Sequence, residues 1–68
     1  MTHNTVAMPA ERLRLPQFVE YRGRVYRAWT RLPAAEPPGF VLTAEDTSGQ
    51  RHALIYANEG ATVLVVVA

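Results

Sequence analysis

The sequence predicts a small all-β domain, and three observations lead to that prediction. Segments rich in β-branched and aromatic residues recur at short spacing. Turn residues such as glycine, proline and asparagine separate them, and no segment carries a convincing helical period. The chain has 68 residues, of which 49% are hydrophobic, and it has no cysteine. A domain of this size needs a dense core without disulfides or thiolate metal sites, or another chain that completes it.

The N-terminal part divides into a tail and the start of the domain. Residues 1–8 are small and polar without periodicity, so we expect a disordered tail followed by a single small β domain over 9–68. Residues 10–16 carry a short alternation of Arg and Leu that ends at Pro16. This alternation fits a short edge strand, and a short helix is the alternative.

A β-hairpin is predicted next. Residues 17–21 form the first strand, and Arg22 and Gly23 form the turn, where glycine supplies the positive φ of a tight hairpin. Residues 24–31 form the return strand because they are rich in Val, Tyr, Trp and Thr.

The second half continues with short strands and turns. Residues 32–39 contain three prolines and predict a stiff loop that cannot join a ladder. Further strands are expected at 40–44, 50–57 and 61–68, with turns at 45–49 and 58–60. Five or six strands in so short a chain favour a small five-stranded SH3-like barrel or a curled meander.

The return strand of the hairpin has two unlike faces. We predict that Arg24, Tyr26, Ala28, Thr30 and Leu32 point inward and that Val25, Arg27, Trp29 and Arg31 point outward. The opposite choice would bury two guanidinium groups in a domain too small to compensate them.

The last strand is apolar on both faces, which predicts that something covers its outer side. The cover is either residues 10–16 or another molecule, because an uncovered strand of this composition is prone to aggregate. We therefore expect self-association or a protein partner, with an interface formed by Leu64, Val65, Val66 and Val67.

Charge is distributed unevenly, although the net charge is only +1. Residues 11–31 hold six Arg and two Glu, whereas residues 32–68 hold one Arg and four acidic residues. The basic part coincides with the hairpin, so we predict a binding patch of Tyr21, Arg22, Arg24, Arg27, Trp29 and Arg31. Such residues are enriched at protein interfaces, and a small nucleic-acid-binding barrel is the alternative.

Catalysis and metal binding find little support. Ser48 lies close in sequence to Asp46 and His52, but the segment around it reads as a polar turn. His3 and His52 have no partner at metal-ligand spacing. We therefore predict a non-enzymatic module without catalytic residues, metal or cofactor.

Targeting signals are also not expected. Residues 1–10 lack the basic start and long apolar run of a signal peptide, and the longest apolar run, 61–68, is too short for a bilayer. The expectation is a cytoplasmic protein without membrane contact.

Overall fold

The computed structural model describes residues 4–34, 38–58 and 60–67 and is all-β apart from a single 3-10 turn at Ala10–Arg12. Six antiparallel strands form a single sheet with the order β1-β6-β2-β3-β4-β5. The strands are β1 (Thr5–Pro9), β2 (Gln17–Tyr21), β3 (Arg24–Ala34), β4 (Gly39–Glu45), β5 (Arg51–Tyr56) and β6 (Thr62–Val66).

The sheet is open, so the predicted barrel is not closed. Its two end strands, β1 and β5, do not pair with each other in the part of the chain that the structure describes. Strands β2 to β5 form a meander, and the sheet curls so far that Tyr21 of β2 reaches the backbone of Ile55 in β5. The predicted number of five strands is also corrected, because a sixth strand, β1, lies along β6.

The expected disordered tail is wrong for residues 5–8, which belong to β1. Val6 pairs with Val65 and Met8 pairs with Val63, and cross-strand partners share a face of the sheet. The apolar last strand therefore recruits this segment, although the segment has no clear alternation of its own. The first three residues lie outside the described ranges.

Residues 10–16 form neither of the two elements considered for them. Ala10 to Arg12 make the 3-10 turn, and Ala10 is buried. Leu13 and Leu15 are half-buried and pack against the core. The alternation of Arg and Leu thus arises because Leu13 and Leu15 contact the inner side of the curled sheet, although the segment forms no strand.

The β2–β3 hairpin is formed as predicted, with Arg22 and Gly23 as a two-residue turn. Both residues have positive φ, 51° and 81°, as in the type I′ turn that matches strand twist. The sequence predicted this conformation for the glycine only.

Strand β3 continues three residues beyond its predicted end, through Leu32, Pro33 and Ala34. Pro33 lies opposite Phe40. Because the backbone groups of Ile55 bond to Tyr21 and point away from β4, those of its partner Val41 point toward β3. Val41 and Leu32 therefore form a hydrogen-bonded pair of this ladder, and Pro33 and Phe40 form a non-hydrogen-bonded pair. Pro33 also lies beyond the end of β2, whose pairing with β3 ends at Ala28. The missing N–H of proline therefore removes no ladder bond, which is why the predicted stiff loop is wrong for residues 32–34.

A bulge in β3 changes which side chains point inward. The pairing with β4 shifts between Ala28 and Thr30, so one extra residue, Trp29, lies between them. Before the bulge, Tyr26 and Ala28 are buried as predicted. After it, the assignment reverses.

The reversal contradicts the prediction for three residues. Arg31 lies opposite the fully buried Leu42 and therefore lies on the inner face, while Thr30 and Leu32 lie on the outer face. Arg31 remains an exposed residue and its guanidinium donates a hydrogen bond to the Ala10 carbonyl, so this charge is not buried without a partner.

A single core lies on the concave side of the sheet. Phe40, Leu42 and Ala44 point inward, and Gly39 is required beside them because a Cβ there would overlap the carbonyl oxygen of Tyr56. The buried apolar residues are Ala10, Val19, Tyr26, Ala28, Phe40, Leu42, Ala44, Leu54, Val63 and Val65. Among the described residues, no helix is long and apolar enough to cross a membrane.

Candidate interaction surface on the outer face

The outer face of the sheet carries a row of aliphatic side chains across three strands. Leu32 of β3 pairs with Val41 of β4, and Val41 pairs with Ile55 of β5. We call these three residues the aliphatic row. Leu32 and Ile55 are 53% and 63% exposed. Directly opposite side chains lie about 5 Å apart at Cβ, so the row forms one continuous apolar strip.

A row of small polar residues lies beside the aliphatic row. Thr30 pairs with Thr43, and Thr43 pairs with Ala53. The hydroxyl groups of Thr30 and Thr43 are hydrogen-bonded to each other. These small side chains separate the aliphatic row from the row of Arg27, Glu45 and Arg51.

A charged row completes the outer face. Arg27 pairs with Glu45, which pairs with Arg51, so a carboxylate lies between two guanidinium groups. Phe18 pairs with Arg27 from β2 and is exposed. Electrostatically, the row carries one excess positive charge.

Trp29, the bulge residue, lines a depression of about 420 Å³. The other lining residues are Thr43, Arg51, His52 and Ala53. Trp29 thus shares this depression with residues of β4 and β5, whereas a regular strand would have placed its side chain between those of Arg27 and Arg31. The depression therefore joins the chain's single Trp to a cation from the acidic half of the sequence.

The structure divides the predicted binding patch. Arg27 lies on the outer face and Trp29 lines the depression beside Thr43 and Ala53, but Arg31 lies on the inner face beyond the bulge. Arg22 and Arg24 are exposed at the hairpin turn, where the Arg22 guanidinium carbon lies 5.4 Å from the centre of the Tyr21 ring. The six residues do not form one continuous surface.

Tyr21 points inward and holds the curl of the sheet. Its ring meets those of Tyr26 and Tyr56 edge-on, at centroid distances of 6.3 and 5.3 Å. Its hydroxyl donates to the Ile55 carbonyl at 2.9 Å and accepts from the Ile55 N–H at 3.1 Å. The residue thus occupies backbone groups at the free edge of β5.

The predicted interface on the last strand is also divided. Val65 is 3% exposed and belongs to the core, whereas Leu64 lies on the outer face and is partly exposed. Val66 is half-buried and Val67 is exposed. Leu13 and Leu15 of the segment 10–16 pack against the core on the inner side, and Leu64 on the outer side of β6 remains 40% exposed.

Of the residues in the three rows and the depression, the predicted site contained only Arg27 and Trp29. Leu32 was assigned to the interior because the bulge is invisible in the alternation of the strand. Ile55 and Arg51 alternate with inward residues of β5, and that alternation was the available signal for them.

The β4–β5 loop is built around the Asp46 carboxylate. Its Oδ1 accepts hydrogen bonds from the Ser48 hydroxyl at 2.6 Å and from the backbone N–H groups of Ser48 and Gln50 at 2.9 and 3.0 Å. Its Oδ2 lies 2.7 Å from Nε2 of His52. The Ser48 and His52 contacts, with the backbone bonds, hold the pKa of Asp46 well below its ordinary value of 3.8.

This arrangement organises a turn. Asp46 stands between Ser48 and His52, whereas nucleophilic catalysis needs the histidine between the hydroxyl and the carboxylate. Within the described ranges, no group of three or more His, Cys, Asp or Glu side chains is placed to hold a metal ion. In comparisons with known proteins, no family model, no curated protein and no solved structure matches this chain.

Proposed function

We propose that this chain is a non-enzymatic interaction module that binds another protein through its outer face. The observation that supports this proposal is the aliphatic row, in which Leu32 and Ile55 expose more than half of their surface on either side of Val41. The core on the opposite face is complete without them. Exposed apolar side chains in a continuous strip are typical of interfaces.

The chemistry of the surface indicates the kind of partner. The aliphatic row and Trp29 supply apolar and aromatic contacts, and burying one such aliphatic side chain is worth about 1.5–3 kcal/mol. Arg27 and Arg51 flank Glu45, so the charged row favours an apolar protein surface with an acidic rim.

The test compares Ile55→Lys with Thr62→Lys, a matched control on the exposed side of β6. Each immobilised protein is incubated with an extract of its source cells, and retained proteins are purified for binding measurements. We expect one retained protein to bind wild type and Thr62→Lys equally and Ile55→Lys at least about ten-fold more weakly, as loss of one apolar anchor predicts. If no purified protein distinguishes the two variants, the proposal is wrong.

Nucleic acid is the second candidate partner, because Trp29 and Arg51 line the same depression. A ring beside a cation is the arrangement on which single-stranded bases stack. Glu45 between Arg27 and Arg51 weakens this candidate, since it repels phosphate. Titration with single-stranded oligonucleotides at two salt concentrations tests it through Trp29 emission, with Arg51→Gln expected to weaken the response and its salt dependence. Unchanged emission at low salt would exclude this mode.

Two finer expectations accompany the proposal. An SH3-like relationship rests on the strand pattern of the sequence, and a cytoplasmic location rests on the expectation that no signal peptide is present. Neither is needed for the outer face to bind a protein.

A further inference from the structure

Within the described ranges, strand β1 is an edge strand whose outward backbone groups have no partner. The Val67 N–H donates to the Asn4 carbonyl at 2.9 Å, so the backbone groups of Asn4 point toward β6. In an antiparallel ladder every second residue has this orientation, so the N–H and C=O groups of Val6 and Met8 also point toward β6. Thr5 and Ala7 therefore direct their N–H and C=O groups away from β6, toward the free edge. Four backbone groups are available there for another strand.

This edge lacks the usual protection against strand addition. Residues 5–9, TVAMP, carry no charge, and their pairing with β6 is regular without a bulge. Pro9 protects only the last position of the strand. Val6 is 48% exposed although it lies on the apolar inner face.

The opposite edge is protected. At β5, the Tyr21 hydroxyl occupies both the N–H and the C=O of Ile55, and the exposed Arg51 adds a charge. Pairing β1 with β5 of another copy would have to displace the Tyr21 bonds. Pairing of β1 with β5 would also leave one free edge on every added copy and so produce an open-ended assembly. Pairing of two identical β1 edges produces a closed dimer.

We propose that two copies of this chain join through their β1 strands, antiparallel across a two-fold axis at Val6, into one continuous twelve-stranded sheet. The axis places Thr5 of one copy opposite Ala7 of the other, so the four free backbone groups of each β1 find partners. The two Val6 side chains then meet in a non-hydrogen-bonded pair, where side chains approach most closely. No charge opposes another across this contact.

The inference deepens the proposed function, since it names a second copy of the chain as one protein partner, but it uses a different surface. Strand addition over five residues buries less area than a standard interface, so we expect a concentration-dependent dimer. The outer face, with its aliphatic row, remains free in this dimer for a second partner.

The test uses the full chain with Val6→Lys, Val6→Glu and their equimolar mixture, studied by sedimentation across a concentration series. We expect wild type to approach the dimer mass at high concentration and each variant alone to remain monomeric, because like charges meet at the axis. The mixture is expected to recover the dimer through a Lys–Glu pair at the same point. Only direct contact between the two Val6 positions predicts this recovery.

Ile55→Lys is the matched control, because it places the same charge at the protected edge, and it should dimerise like wild type. The failure of the two proposals is thus distinguishable: Ile55→Lys tests the outer face, and Val6→Lys tests β1. A wild type that stays monomeric, open-ended assemblies, or a dimer insensitive to both Val6 variants would each overturn the β1 pairing.

A measurement on wild type keeps the test valid if a Val6 variant does not fold. Amide hydrogen exchange at Thr5 and Ala7 should slow as concentration rises, while exchange at Ala53 on the β5 edge should not change. Equal exchange at all concentrations for Thr5 and Ala7 would contradict the proposal.

Discussion

At the residue scale, the Tyr21 hydroxyl has a role that its sequence context does not suggest. It bonds to both backbone groups of Ile55, thirty-four residues away, and so joins β2 to β5 across the curl. Tyr56 is its counterpart: its hydroxyl is buried without a hydrogen-bond partner among the described residues, and burial, with the nearby Tyr21, raises the pKa of Tyr56 to about 12.

We predict opposite outcomes for removing these two hydroxyl groups. Tyr21→Phe should lower the free energy of unfolding by about 1 kcal/mol, since two hydrogen bonds are lost while water can reach the freed backbone groups. Tyr56→Phe should be neutral or slightly stabilising, because it removes a polar atom that is desolvated without compensation. Urea unfolding of both variants measures the difference, and equal losses would contradict the hydrogen bonds assigned to Tyr21.

Asp46 gives a pH dependence at the same scale. Because hydrogen bonds from Ser48 and His52 lower the pKa of Asp46 below 3.8, its carboxylate stabilises the fold above that pH. The contribution is lost as pH falls below 3.8 and the carboxylate is protonated.

We therefore expect Asp46→Asn to lower the Tm at neutral pH and to have a smaller effect as the pH falls below 3.8. Thermal unfolding followed by circular dichroism from neutral to strongly acidic pH measures the difference between the two proteins. A difference that stays constant over this range would show that the ionised Asp46 does not stabilise the loop.

At the element scale, the bulge at Trp29 decides the composition of both faces. Without it, regular alternation would have directed Leu32 inward and Arg31 outward. The extra residue reverses both, which sends Arg31 toward Ala10 and adds Leu32 to the aliphatic row. Local sequence carries little sign of this reversal, because a bulge is selected by packing on both sides of a strand.

A pair of substitutions tests this assignment. Leu32→Thr should change the free energy of unfolding by no more than about 0.5 kcal/mol, since Leu32 is exposed and threonine suits a strand. Leu42→Ala, on the inner face of the neighbouring strand, should cost about 2–5 kcal/mol because Leu42 is fully buried. A comparable loss from Leu32→Thr would mean that Leu32 belongs to the core and that the bulge is misplaced.

Strand β1 is a second element that the sequence pattern did not predict. Residues 5–9 have no convincing strand pattern, yet they pair along the whole of β6. The cause lies in the partner, since the apolar and strand-favouring β6 supplies the ladder on which a neutral segment can order. A tail was therefore predicted where the fold forms an edge.

At the scale of the whole molecule, the two sides of the curled sheet have different roles. The concave side contains the described core, and the convex side carries apolar residues that this core does not use. The two edges differ as well: Tyr21 occupies the backbone of Ile55 in β5, whereas no described residue pairs with the outer edge of β1. A small domain thus presents a face and an edge to its surroundings, and the proposals for partner and dimer use one each.

The sequence by itself determined the all-β class and the hairpin at Arg22 and Gly23, because these follow from local propensity and turn chemistry. The tertiary structure alone decided the open sheet, the sixth strand, the bulge and the division of the predicted arginine patch. The physical reason is range: turns and alternation depend on neighbours along the chain, whereas strand order and register depend on segments distant in sequence that compete for the same backbone partners and the same core.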